Sequence, residues 1–264
     1  MSIYTNIGPP ALTDEIYGEF SLHRAHLCDT TTAAPVAPIN VNGIQNMSLG
    51  TPSFDERILK QQGGGDTSVK KRRNFVWTGS FNMLAGRMPT VIAQLKGITW
   101  GSANDRAISF KDTKGVPAIH WEAVCRDVNN KTPLFSVIIP QMVIEPWGFD
   151  QPMDSSEGSL PFSSEFPPIY LYAYTEWVWD LFDGDGSTTD FTLSGTPTDL
   201  VDSATYDDFI LDNIALVTVK ESTGDTGVIQ TTGISYAGGD VTFSTAPSAS
   251  SLVGIGYAVA VAAP

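Results

Sequence analysis

The chain is short of charge, cysteine and histidine, and almost empty of basic residues over its last third. Charged residues make up 17% of 264, against about 25% in an ordinary soluble domain. With 42% apolar residues there is ample material for a core, and so little charge implies that a partner covers part of the surface. Two cysteines, Cys28 and Cys125, cannot form a disulfide framework; both are expected as buried thiols of a chain folded in a reducing cytoplasm. Three histidines are a thin supply of general bases. There is no Gly-x-Ser-x-Gly elbow and no His-Glu-x-x-His, and Gly63-Gly64-Gly65 precedes neither Lys-Ser nor Lys-Thr. Carboxylates abound, but no spacing singles out a glycosidase pair. The expectation is a protein that is not an enzyme and has no cofactor. The start, Met1-Ser2-Ile3-Tyr4, shows neither the basic nor the apolar region of a secretion signal, and no apolar run reaches membrane-spanning length. A soluble chain without a membrane partner is expected.

What charge there is lies unevenly. Residues 1–179 carry 14 basic and 17 acidic residues, whereas residues 180–264 carry Lys220 alone against 12 acidic residues. All six tryptophans precede residue 180. This compositional break places a boundary at Asp180, between an assembly domain (1–179) and an acidic module (180–264). A net charge of −14 argues against gripping nucleic acid, whose phosphates are bound by Lys and Arg. An acidic wall can still serve beside DNA, because it repels phosphate and lets a duplex slide.

The hydrophobic pattern is mainly that of strands. Ile39–Ile44 reads as a strand entering a turn, and Arg73–Leu84, Ala118–Val128, Leu134–Ile144 and Ile169–Val178 as longer ones. Gly50–Lys71 reads as a long polar loop, centred on Gln61, Gln62, Gly63, Gly64, Gly65 and Asp66, because three consecutive glycines suit no helix or strand interior. Pro146–Pro168 also reads as a loop. One helix is predicted over Met88–Lys96, with Pro89 in its first turn and Gly97 as its stop. Beyond Asp180 short strands follow at Phe191–Leu193, Ile214–Val219 and Leu252–Val261, with Ile234–Tyr236 pairing Val241–Phe243 across Gly238-Gly239-Asp240. Strands at this spacing predict a small all-β sandwich.

Four clusters invite chemistry. His23, His26 and Cys28, with His120 and Cys125 elsewhere, supply zinc-ligand types, but they read more simply as ordinary strand residues. Asp183-Gly184-Asp185-Gly186-Ser187 begins like a calcium loop, yet its twelfth position is Ser194 rather than the required Glu, so it reads as a turn. Lys70, Lys71, Arg72 and Arg73 form the densest basic run; beside the glycine-rich loop of an acidic protein, they are expected to meet an acidic patch on a neighbouring subunit. Tyr170–Trp179 alternates strictly, with Tyr170, Tyr172, Tyr174 and Glu176 on one face and Trp177 and Trp179 on the other. Such a row serves a sugar platform, and more often a core or subunit interface.

The order of elements, from the loop Gly50–Lys71 and the strand Arg73–Leu84 to the helix Pro89–Lys96 and the pair Val137–Pro146 and Phe166–Val178, resembles the tail tube proteins of long-tailed bacteriophages. Phe182–Leu193 and Val241–Pro247 resemble a small β-module that recurs in phage structural proteins. The resemblance implies a mainly β fold: a β-sandwich or barrel tube domain with one packed α-helix, followed by the C-terminal sandwich. It also implies that copies of the chain form rings, six to a ring, which stack into a tube joined to other tail proteins. Viral DNA would pass through without specific binding, in a virion assembled in the bacterial host cytoplasm. The long loop, with Gln61–Asp66 and Lys70–Arg73, would reach the neighbouring subunit or ring. The tube domain needs only the first 180 or so residues. A capsid decoration or fibre-associated protein, and a carbohydrate-binding adhesion module, are the alternatives.

Overall fold

The structure is a computed structural model. It describes residues 18–27, 38–50, 52–60, 68–84, 90, 91, 93, 119–129, 131–144, 157–200, 210–221 and 228–262; residues 27, 45, 54–60 and 68–75 among them are described by backbone alone. The described chain is mainly β. The strands are β1 (Gly18–Leu27), β2 (Ile39–Val41), β3 (Ile44–Leu49), β4 (Ser53–Lys60), β5 (Ser68–Leu84), β6 (Ile119–Asp127), β7 (Pro133–Ile144), β8 (Glu157–Ser164), β9 (Ile169–Tyr172), β10 (Thr175–Asp183), β11 (Asp190–Thr192), β12 (Ile214–Lys220), β13 (Val228–Ile229), β14 (Ile234–Ala237), β15 (Asp240–Phe243) and β16 (Leu252–Ala260).

They form three sheets. A nine-stranded sheet runs β2-β1-β6-β7-β8-β5-β3, with β4 added on β5 and β9 on β7. A four-stranded sheet runs β10-β16-β12-β13, and a three-stranded sheet β11-β15-β14. The four-stranded sheet lies between the other two. One of its faces contributes Trp177, Trp179, Leu181 and Ala258 to a cluster with Ile138, Ile169 and Leu171 of the nine-stranded sheet. The other contributes Val217, Val253, Ile255 and Tyr257 to a cluster with Phe191, Val241 and Phe243 of the three-stranded sheet. Covered on both faces, β12 is buried at every residue and reads as a continuous apolar run instead of an alternating one. The third cluster, built on Phe81, Trp121, Met142 and Phe162, gathers side chains of the nine-stranded sheet with the helical Val91.

Several expectations are corrected. The polar segment Gly50–Lys71 is no open loop: β4 and the start of β5 are an antiparallel pair, with Lys60 opposite Ser68 and Ser53 opposite Val76. The apolar period is weak there, and pairing between backbones supplies the order. Likewise, β8 runs inside the expected loop Pro146–Pro168. It pairs β5 from Trp77/Ser164 to Leu84/Glu157, and alternate residues Gly158, Leu160, Phe162 and Ser164 are buried. Pro161 hid it; it lies opposite Ser80 of β5, and among the described residues β7 pairs β8 at Ser163 and Phe162. Of the helix predicted over Met88–Lys96, Thr90, Val91 and Ala93 are described and helical, with Val91 and Ala93 buried; the rest lies outside the described residues, as do Gln61–Asp66.

Ile169–Val178 is two strands rather than one. The chain turns at Ala173–Tyr174, where Tyr174 adopts φ 62°, a left-handed conformation that costs a non-glycine residue about 1–3 kcal/mol. Before the turn β9 pairs β7; after it β10 pairs β16 along its whole length. The turn thus hands the chain from one sheet to the next. The compositional break at Asp180 falls inside β10.

The layer contact depends on glycine. Gly254 and Gly256 lie on β16 beside β10, and a Cβ there would come within 2.1 Å of Trp179 and 2.3 Å of Trp177. Both indoles therefore lie flat on bare backbone. Gly256→Ala should destabilise the fold by about 1–3 kcal/mol through overpacking, lowering the urea midpoint at unchanged slope. Gly238→Asn should be nearly neutral: its turn meets nothing within 4 Å, and Asn accepts the left-handed φ of 64°. Equal midpoints for Gly256→Ala and the parent would refute the packing argument.

Candidate functional site

The candidate interface residues fall on one feature, the hairpin β4–β5. Over Ser68–Val76, β5 pairs only with β4 among the described residues; its partners β3 and β8 begin at Gly79 and Trp77. The pair is a two-stranded arm of about 30 Å at about 3.3 Å per residue. Lys70, Lys71, Arg72 and Arg73 sit on it opposite Ile58, Arg57, Glu56 and Asp55 respectively. Two of the four basic positions therefore face acidic positions of the same chain. Gln61, Gln62, Gly63, Gly64, Gly65 and Asp66 belong to the connection at its tip, outside the described residues.

The histidines occupy a different place. His23 and His26 are three apart on β1, and because side chains alternate along a strand they lie on opposite faces. His23 accepts a hydrogen bond at Nδ1 from Trp121 Nε1 (3.3 Å) on the face of the nine-stranded core. On the other face His26 lies opposite His120, and Arg24 opposite Glu122. No group of three or more metal-ligating side chains forms among the described residues, and Cys28 lies outside them. Cys125 is buried on β6, and burial, then Glu19, raises its thiol pKa.

The second face of β1 and β6 is polar and covered by β10. Glu122, 1% exposed, receives Arg24 Nη1 at 3.7 Å and His26 Nε2 at 3.3 Å on the same Oε2. Arg24 also reaches Glu176 of β10 at 3.3 Å, so one guanidinium joins two sheets. Beside this pair His120 is fully buried, stacked at 4.1 Å on Trp179 and 5.7 Å from Trp177. Both its ring nitrogens lack a hydrogen bond. Burial, then the nearby His26 and Lys220, holds its pKa well below the ordinary value. Burial alone lowers His23 to about 4. Nothing local in the sequence marks the Arg24–Glu122–Glu176 set, whose members are scattered along the chain; only the histidine spacing was visible.

In the acidic module, Asp185 is a turn former. Its carboxylate accepts hydrogen bonds from the backbone of Ser187 and Thr188 and from the Thr188 hydroxyl, and these bonds hold its pKa far below the usual range. Asp180, 1% exposed, accepts from Ser194 N (2.8 Å), Ser194 Oγ (2.7 Å) and Tyr257 Oη (2.7 Å). Burial chiefly pushes the Tyr257 hydroxyl up to about 12. These carboxylates satisfy the fold's own donors.

No protein-family model matches the chain, and no curated protein matches it. Among solved structures it is similar to a chain of the cryo-EM structure of the anti-feeding prophage (AFP) baseplate, 6-fold symmetrised. The TM-score is 0.32 at 10% identity, over 57% of this chain and 91% of that one. A likeness this slight carries no argument about this chain.

The histidines set an acid response. Because folding depresses the pKa of His23 and His120, the unfolded chain binds protons first. Their contribution to stability is whole above about pH 6.5 and is lost as pH falls, for His23 down to about 4. Urea unfolding should give a lower midpoint at pH 5 than at pH 7.5, and His120→Phe, which keeps the stacking, should flatten that dependence. An unchanged pH slope in His120→Phe would remove His120 from the account.

Proposed function

We propose that this chain is a structural, non-enzymatic subunit of a phage tail, assembling with copies of itself into stacked rings, six to a ring, as a tail tube through which DNA passes. The observation that carries the reading is the β4–β5 arm. Two strands paired only with each other are marginal in water, and an arm of that length is stabilised when a neighbour supplies a third strand or a packing surface. Lys70–Arg73 on β5 and Gln61–Asp66 at the tip are then the contacts to the adjacent subunit. Heterologous contacts of this kind close into rings or extend into filaments, and closure removes exposed sheet edges.

The reading divides the chain as composition does. Residues 1–179 make the assembly domain, with its short helix packed on the sheet. Residues 180–264 make a small β-sandwich, rooted through β10 and carrying most of the net negative charge. That charge keeps the particle soluble and, wherever it faces the lumen, repels the phosphates of passing DNA. Other tail proteins cap the tube.

Negative-stain electron microscopy at rising protein and salt concentration tests this. Hollow rings or tubes are expected, and replacing Gln61–Asp66 by a two-residue turn should leave rings that no longer stack. Uniform monomers or compact trimers at high concentration would sink the tube reading.

A further inference from the structure

The Arg24–Glu122–Glu176 set has a surface. Beside it opens a cleft of about 160 Å³, walled by Phe135, Tyr172, Tyr174 and Val261. For comparison, an apolar cavity of about 150 Å³ accepts benzene, so the cleft has room for one six-membered ring. From it, we infer a binding site for a neutral saccharide, with a pyranose ring against the tyrosines and its hydroxyls on Arg24 and Glu176.

Three observations carry this. The first is that the polar floor is built and held. Arg24 is fixed between two carboxylates from different strands, Glu122 behind it and Glu176 beside it. Its side chain remains 20% exposed and that of Glu176 46%, so a fixed donor and a fixed acceptor stand 3.3 Å apart within reach of a ligand. Neighbouring sugar hydroxyls, each able to donate and to accept, match such a pair.

The second is the aromatic wall. Tyr172, which lines the cleft with Phe135 and Tyr174, is 82% exposed, whereas Trp177 and Trp179 of the same alternating row are buried. Exposed aromatics grouped beside polar residues mark binding sites, and an aromatic face suits the apolar face of a pyranose. The third is the backbone of the wall. Tyr174 holds its left-handed φ while its carbonyl accepts a hydrogen bond from Val261 N at 2.8 Å. Strain of this sort collects at ligand sites.

Charge decides the ligand class. An anion approaches a chain of net charge −14 and finds Arg24 already engaged by two carboxylates. The lining sets Arg24 and Arg126 against Glu122 and Glu176, a balanced set that offers a cation no net attraction. A wholly apolar ligand would strip water from Arg24 and Glu176 without replacing it. A neutral polyol with apolar faces avoids all three costs. The site is independent of the assembly reading, since none of its residues lies on the β4–β5 arm.

Saturation-transfer NMR of the full chain against a panel of neutral hexoses and N-acetylhexosamines tests it. Transfer to ring protons of at least one sugar is expected, and Tyr172→Ala and Glu176→Gln, both at solvent-facing side chains, should each weaken binding about tenfold. No transfer from any sugar in the panel would overturn the inference. So would a sugar signal undiminished in both variants, or a Tyr172→Ala change confined to sedimentation, which would assign the tyrosines to a contact between copies.

Discussion

A sheet covered on both sides has no solvent face on which to place polar residues, and that constraint on β10, β16, β12 and β13 governs the rest of the molecule. It demands apolar or very small residues at almost every position. It also demands that the large ones find room across the layer. Gly254 and Gly256 provide the room, since any side chain there would strike the indoles of Trp179 and Trp177. The indoles in turn carry His120 on their outer faces. The nine-stranded sheet is thereby joined to the middle one through stacked rings and one ion-pair set, while the three-stranded sheet joins its other face through aliphatic and aromatic packing.

The polar groups at the first junction are unusual for so buried a place. His120 has no hydrogen bond at either ring nitrogen, and an unpaired buried polar group costs about 1–3 kcal/mol. Glu122 offsets its own burial by taking both Arg24 and His26. Removing one partner of such a set costs more than its contact energy suggests, because the remaining charge stays buried. The same arrangement fixes Arg24 at the foot of the cleft, so the junction between layers and the floor of the candidate binding site are one structure.

Much of this was legible where the interactions are local. The β14–β15 hairpin follows from Gly238-Gly239, both at positive φ, and the observed register, Ile234 opposite Phe243, is the one the alternation predicts. The alternation of Tyr170–Trp179 likewise holds face by face, although no sequence signal marks the break at Tyr174. What stayed hidden is non-local. β8 contains proline, glycine and three serines, and only its partner β5 makes it a strand. β4 lies in a segment whose polar composition resembles a loop, and β5 again supplies the order. Gly254 and Gly256 read as ordinary strand glycines until Trp177 and Trp179 arrive from a strand some 75 residues earlier. The Arg24–Glu122–Glu176 set has no sequence signature at all.

The contrast between a doubly covered middle sheet and an arm with no third strand among the described residues is the central claim, and hydrogen exchange measures it directly. Amides of Ser53–Lys60 and Ser68–Val76 should exchange fast in dilute protein and become protected as concentration rises, while those of β12 and β16 stay slow throughout. Arm amides as protected as β12 at the lowest concentration, or an arm whose exchange never responds to concentration, would contradict it.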